Sequence, residues 1–169
     1  MSGQLQHIVV MGVSGSGKTT VGELLAERVG WRFIEGDSFH SAENVAKMSA
    51  GTPLSDDDRF PWLKTLAGEI AKDEAAGRSS VLGCSALKRS YRDILRSGAP
   101  RVRFVHVHGD RAVLADRLSH RAGHFFPAAL LDSQLAALEP LGRDEDGVVV
   151  DVALSPSEQV ERALAALGY

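Results

Sequence analysis

Residues 7–30 read HIVVMGVSGSGKTTVGELLAERVG, and the reading of this stretch decides the fold. HIVVMGV (7–13) is a continuous apolar run that stops at a glycine-rich turn, the pattern of a strand covered on both faces. KTTVGELLAERVG (18–30) spaces Val21, Leu24, Leu25 and Val29 along one helical face and closes on Gly30. Between them GVSGSGKT, Gly12 to Thr19, matches G-x-x-x-x-G-K-[ST] in full, in the strand–turn–helix setting the motif requires. Gly12, Gly15 and Gly17 let the backbone through Val13, Ser14 and Ser16 turn its N–H groups inward, and the helix adds its positive end through Thr20. Lys18 is placed to reach the β- and γ-phosphates of a nucleoside triphosphate, and the Thr19 hydroxyl to ligate Mg²⁺. The bland alternative is a glycine-rich turn matching by chance; eight positions in the right context speak against it.

The same strand–helix rhythm continues outward. WRFIE (31–35), SSVLGC (79–84), RVRFVHV (101–107) and VVVDV (148–152) read as further strands. Helical patterns fall near 57–76, 88–97, 110–121, 128–138 and from Pro156 to Leu167. This alternation predicts an α/β fold: five parallel strands in a doubly wound, three-layer arrangement, one domain over residues 1–169. Lys and Arg total 19 against 22 Asp and Glu, a net charge of -3, which gives no electrostatic reason to expect nucleic acid or an anionic membrane. The single cysteine, Cys84, forms no internal disulfide and reads as a small apolar residue. MSGQLQHIVVMGV lacks a basic leader, and no apolar run approaches the ~20 residues of a membrane span. Together these predict a soluble, cytoplasmic protein.

The loop does not say what receives the phosphate. No Asn-Lys-x-Asp guanine-reading motif is present. A motor ATPase would end an apolar strand on an acid, and VVVD is the one such string. Asp151 lies on the predicted last strand, beside SPSE (155–158), and reads as a strand-end acid with no part in the chemistry. A small-metabolite kinase fits best. Its acceptor belongs at the carboxyl end of the second strand, in Glu35-Gly36-Asp37 and Ser38-Phe39-His40. Asp37 there faces the γ-phosphate as base or orienter, with a helix cap as its bland alternative. His40 is either a substrate donor or a loop histidine.

The insertion that follows, about 38–77, contains GTPLSDDDRFPWLK (51–64). Pro53 and Pro61 bracket three acids and predict a stiff turn rather than a smooth helix. Arg59 is a planar fork suited to a carboxylate. Asp56, Asp57 and Asp58 offer acceptors that could hold Arg59, but at least two of them read as acids at a helix start. Trp62 reads as packing.

With these pieces in place the chain resembles the gluconate kinases (gluconokinases), of the shikimate-kinase-like branch of P-loop kinases. The resemblance is carried by MGVSGSGKTT, EGDSFH, NVAKMSAGTPLSDDDRFPWL, CSALKRSYRDILR and RLSHRAGHFF, spanning residue 11 to about 126. It implies transfer of the ATP γ-phosphate to the 6-hydroxyl of D-gluconate by a Mg²⁺-dependent homodimer. Asp37 would then meet the acceptor hydroxyl, and Arg59 the gluconate carboxylate. Lys88 would lie near the transferring phosphate or the sugar acid. Arg117 resembles an arginine that stacks on adenine, and Arg121 a lid arginine that closes on the phosphates, with His124 in the same lid (about 117–127). Where shikimate kinases place two aspartates after the second strand, Glu35 takes the first position here, so Glu35 or Asp37 would approach Mg²⁺ through water. Two other readings stand beside this one: the same chemistry on another hydroxy acid such as shikimate, and a nucleotide-gated binding module that transfers nothing.

Overall fold

The computed structural model describes residues 4–119 and 128–169. Its centre is β1 (His7–Met11), in which every residue is buried. β3 (Ser80–Gly83) and β4 (Val102–His108) flank it, with β2 (Arg32–Glu35) and β5 (Gly147–Asp151) outside. All pairings are parallel, in the order β2-β3-β1-β4-β5, with Val9 opposite both Leu82 and Phe104. The sheet predicted from the apolar runs is therefore present, its bounds within two residues of expectation.

The helices are α1 (Lys18–Val29), α2 (Ala42–Ser49), α3 (Asp56–Ala75), α4 (Arg89–Arg96), α5 (Arg111–Ser119), α6 (Ala128–Ala137) and α7 (Pro156–Leu167). β4 shows how the layers divide. Arg103 donates to the Leu167 carbonyl at the end of α7, whereas the next residue, Phe104, lies under the Arg96 guanidinium of α4. Successive strand residues point to opposite faces, so α7 and α4 cover opposite sides of the sheet. Ile8, Leu25, Leu63, Leu66, Ile70, Leu82, Leu95 and Phe104 are fully or almost fully enclosed between these layers. Each such side chain contributes about 1.5–3 kcal/mol of transfer free energy. Cys84 is enclosed as well, and burial pushes its thiol up to about 12, consistent with an apolar role.

The segment between β2 and β3 departs from expectation at one point. Pro61 does not bracket a turn; it lies inside α3, which runs unbroken for 20 residues. Pro61 lacks only the bond to the carbonyl of Asp57, an exposed residue in the first turn, which water can serve. Trp62, Leu63, Leu66 and Ile70 bury the same helix face, and that burial outweighs the local preference of the residue before a proline. The acids take up their helix-start role. Ser55 caps α3 with its Oγ accepting the Asp58 N–H, and Asp58 returns the bond to the Ser55 N–H, a capping box.

Candidate active site

At the carboxyl end of β1 the chain turns into the phosphate loop. Gly15 and Gly17 both have left-handed φ, +80° and +89°, which a side chain would resist. Gly17 caps α1 without any side-chain bond, so the first-turn N–H groups remain open to an anion. Gly12, Val13 and Ser16 lie buried beneath the loop. A Cβ on Gly12 would sit 2.7 Å from the Val107 carbonyl, so the loop rides in contact with β4. Ser14, Gly15, Gly17, Lys18, Thr19 and Thr20 line a cavity of about 350 Å³, joined by Asp37, Asp116 and Arg117. Arg117, in the last turn of α5, donates to the Val152 carbonyl and passes over Gly17. Arg121 and His124 lie outside the described residues.

Glu35 bonds two residues that line this cavity, Thr19 and Asp37. Its Oε2 accepts the Thr19 hydroxyl at 2.6 Å, and its Oε1 accepts the Asp37 N–H at 3.4 Å. The turn that carries Asp37 is fixed by packing, since a Cβ on Gly36 would fall 2.2 Å from the Gly83 carbonyl. Asp37 is not a helix cap; Ser41 caps α2, accepting the Asn44 N–H at 3.1 Å. The oxygen donors Thr19, Glu35 and Asp37 suit Mg²⁺. Among the described residues no group of three or more His, Cys, Asp or Glu could hold a metal ion.

A second cavity, of about 120 Å³, shares Ser14, Lys18 and Asp37 with the first. Its wall includes His40, Arg59 and Trp62, all from the segment between β2 and β3. His40 stacks on Trp62 at 4.0 Å, and the Trp62 indole N–H donates to the Gly36 carbonyl at 2.8 Å. Trp62 is therefore packing and cavity wall together. Burial lowers the His40 pKa, with Arg59 acting the same way and Asp37 against it, which favours a neutral ring. Arg59 is 9% exposed, and its Nε has no hydrogen-bond partner among the described residues. The guanidinium lies 5.4 Å from the centre of the Tyr91 ring.

The acidic triplet does not clasp Arg59 by hydrogen bonds. Asp56 instead accepts from the Tyr91 hydroxyl, and from Lys88 Nζ at 3.1 Å. These two bonds lower the Asp56 pKa, while burial and the same contact push the Tyr91 phenol up to about 12. Lys88 lines neither cavity in this arrangement; its ammonium lies 5.7 Å from the Tyr91 ring centre, with Arg59 against the same ring. The turn before Lys88 is strained, because Ala86 has φ 47°. Arg92 holds that turn, donating through Nη1 to the carbonyls of Ala86 and Leu87 at 2.9 and 3.2 Å. Glu145 holds Arg92 in turn, at 2.7 Å from Nε and 2.9 Å from Nη2.

Sequence reading missed Tyr91, Ser85 and Gln134. Ser85 and Gln134 line the second cavity. Tyr91 lies in CSALKRSYRDILR, but nothing in the string distinguishes it from a core aromatic. Gln134 carried no signal, being one polar residue in an ordinary helix.

A loop built for polyphosphate opening onto a second cavity, whose wall includes Lys18 and Arg59, defines a P-loop kinase. A family model described as an AAA domain matches residues 8–141. The chain is 50% identical over 159 residues to the gluconokinase of Gluconobacter oxydans, covering 94% of this chain and 89% of that one. The crystal structure of a gluconokinase from Sinorhizobium meliloti superposes with a TM-score of 0.89 at 52% identity, covering 97% and 92% of the two chains. An unliganded sugar kinase from Janibacter sp. HTCC2649 superposes with a TM-score of 0.91 at 52% identity, covering 95% and 93%. The chain shares the AAA-type nucleotide-binding core and belongs to the gluconokinase family.

Proposed function

We propose that this protein transfers the γ-phosphate of ATP to the 6-hydroxyl of D-gluconate, giving 6-phosphogluconate and ADP. The observation that carries the reading is the junction of the two cavities at Ser14, Lys18 and Asp37, with a buried, incompletely bonded arginine on the acceptor side. Nucleotide phosphates lie along Gly12 to Thr20, and Arg117 borders the base. Segment 38–77 forms the acceptor wall, in which Arg59 receives the gluconate carboxylate while His40 and Asp37 meet hydroxyl groups. The 117–127 segment acts as the lid, bringing Arg121 to the phosphates and His124 to the acceptor.

The hydroxyl oxygen attacks the γ-phosphorus in line, the bond to the β-phosphate oxygen breaks, and the hydroxyl proton passes to Asp37. Lys18 and Arg121 neutralise charge on the transferring group. Lys88 supports the acceptor side from the Asp56–Tyr91 network. Thr19, with Glu35 or Asp37 through water, would hold Mg²⁺, which would supply further neutralisation of charge when bound. The remaining readings, a homodimer working in the cytoplasm, rest on the family resemblance and the single buried thiol. Among the described residues no helix is long and apolar enough to cross a membrane.

The test is a coupled assay of 6-phosphogluconate formation with ATP, Mg²⁺ and D-gluconate, with shikimate and other sugar acids in parallel. Turnover on gluconate is expected. Asp37→Asn should lower kcat by about 10²- to 10⁴-fold with a small change in the KM for ATP. An Asn variant that turns over normally removes Asp37 from the chemistry.

A further inference from the structure

Among the polar residues of the acceptor cavity that the reaction above does not use, Gln134 is the one bonded to the phosphate loop through both ends of its amide. Gln134, in α6, reaches across to the phosphate loop. Its Oε1 accepts the Ser14 N–H at 2.7 Å, and its Nε2 donates to the Ser14 Oγ at 3.1 Å. Both polar ends of one side chain are thus committed to one loop residue, 120 positions away in sequence.

Ser14 is one of three residues common to both cavities, and Gln134 lines the acceptor side. The contact therefore sits on the boundary that an attacking hydroxyl must approach. Backbone N–H groups in an anion-binding loop are directed at the anion, yet here one of them is closed by a neutral amide. Left open, a donor N–H and a hydroxyl side by side on a polar cavity wall would hold an ordered water. A water held at Ser14 would lie next to the γ-phosphate subsite, on the side from which the acceptor attacks.

We propose that Gln134 is a positioning residue that ties the phosphate loop to the acceptor wall and keeps water off Ser14, so that phosphate passes to the acceptor hydroxyl instead of to water. The side reaction that it suppresses is balanced and simple. Water attacks the γ-phosphorus, the bond to the β-phosphate oxygen breaks, and ADP and inorganic phosphate leave. The inference rests on the kinase reading given above.

The experiment compares wild type with Gln134→Leu and Gln134→Glu in three measurements. They are gluconate-dependent 6-phosphogluconate formation, phosphate release from MgATP without acceptor, and the melting temperature. Leucine removes both bonds to Ser14. Each bond of this kind contributes about a factor of ten or less, so transfer should fall about tenfold. Acceptor-free phosphate release should itself rise above the wild-type rate, so its ratio to transfer should rise by more than about tenfold. Glutamate can still accept the Ser14 N–H, so Gln134→Glu should restore the ratio towards wild type while its charge raises the KM for MgATP. A change in packing alone would lower both rates together and leave the ratio unmoved. Gln134→Leu with a wild-type ratio overturns the inference, as does Gln134→Glu with a ratio as poor as that of leucine. Absence of gluconate-dependent product from the wild type itself would overturn the kinase reading instead.

Discussion

Replacing Arg59 with methionine separates ligand binding from folding at the acceptor site. The methionine retains much of the apolar stem and removes the guanidinium. On the activity side, a guanidinium that meets a carboxylate through two charge-assisted hydrogen bonds contributes about 1.5–3 kcal/mol for each. Losing both corresponds to at least about a hundredfold fall in kcat/KM for gluconate at saturating MgATP. On the stability side, Arg59 is 9% exposed and its Nε lacks a partner among the described residues, a defect of about 1–3 kcal/mol in the ligand-free protein. Removal of that defect is offset by loss of the contact with the Tyr91 ring, about 0.5–1 kcal/mol. The variant should therefore melt at the wild-type temperature or a few degrees above it, since 1 kcal/mol moves a chain of this size by about 2–4 °C. Saturating gluconate should raise the melting temperature of the wild type and leave that of the variant unchanged. Wild-type kinetics on gluconate would take Arg59 out of acceptor binding. A loss of more than about 5 °C would mean that the guanidinium is a satisfied structural group.

Two predictions concern the scaffold behind the site. Burial, followed by His108 and Arg92, holds the His106 ring down to about 4, and neither of its nitrogens has a partner among the described residues. The folded pKa lies below the unfolded value near 6.5, so stability is complete above that value and falls as pH drops towards 4. The loss at pH 5 is about 2 kcal/mol, and urea titrations of His106→Leu should lack that part of the slope. Glu145→Ala should cost about 3–5 kcal/mol, because it strands a fully buried Arg92. The double variant Arg92→Met with Glu145→Leu should recover part of that loss in the same titrations, and equal losses in both proteins would contradict the account.

The nucleotide half of the site was legible because its parts are contiguous: eight residues between one strand and one helix fix the loop, and strand-end logic finds Asp37. The acceptor half was legible only in fragments. Asp56 was read correctly as an acid at a helix start, but its bonds to Lys88 and Tyr91 span 32 and 35 residues and leave no local trace. Pro61 was misjudged for the opposite reason. The local rule was sound, and the buried face of Trp62, Leu63 and Leu66 overrode it. Gln134 lies beyond any pattern, because its meaning comes from a contact with Ser14 that only the folded chain creates.

Two buried arginines show what the structure adds to such a reading. In the string, Arg92 and Arg59 are equally cationic and each follows an acidic or polar run. In the fold, Arg92 is fully enclosed and fully engaged, its Nε, Nη1 and Nη2 reaching Glu145 and the carbonyls of Ala86, Leu87 and Pro140. That makes it a strut for the strained turn at Ala86, which leads to Lys88. Arg59 is nearly as enclosed but keeps an unmet donor, on the wall of a cavity that opens to the phosphate loop. Burying a guanidinium without its full set of partners is costly unless something outside the chain completes it. The difference between the two is one of compensation: the donors of Arg92 are met inside the fold, and the Nε of Arg59 is not.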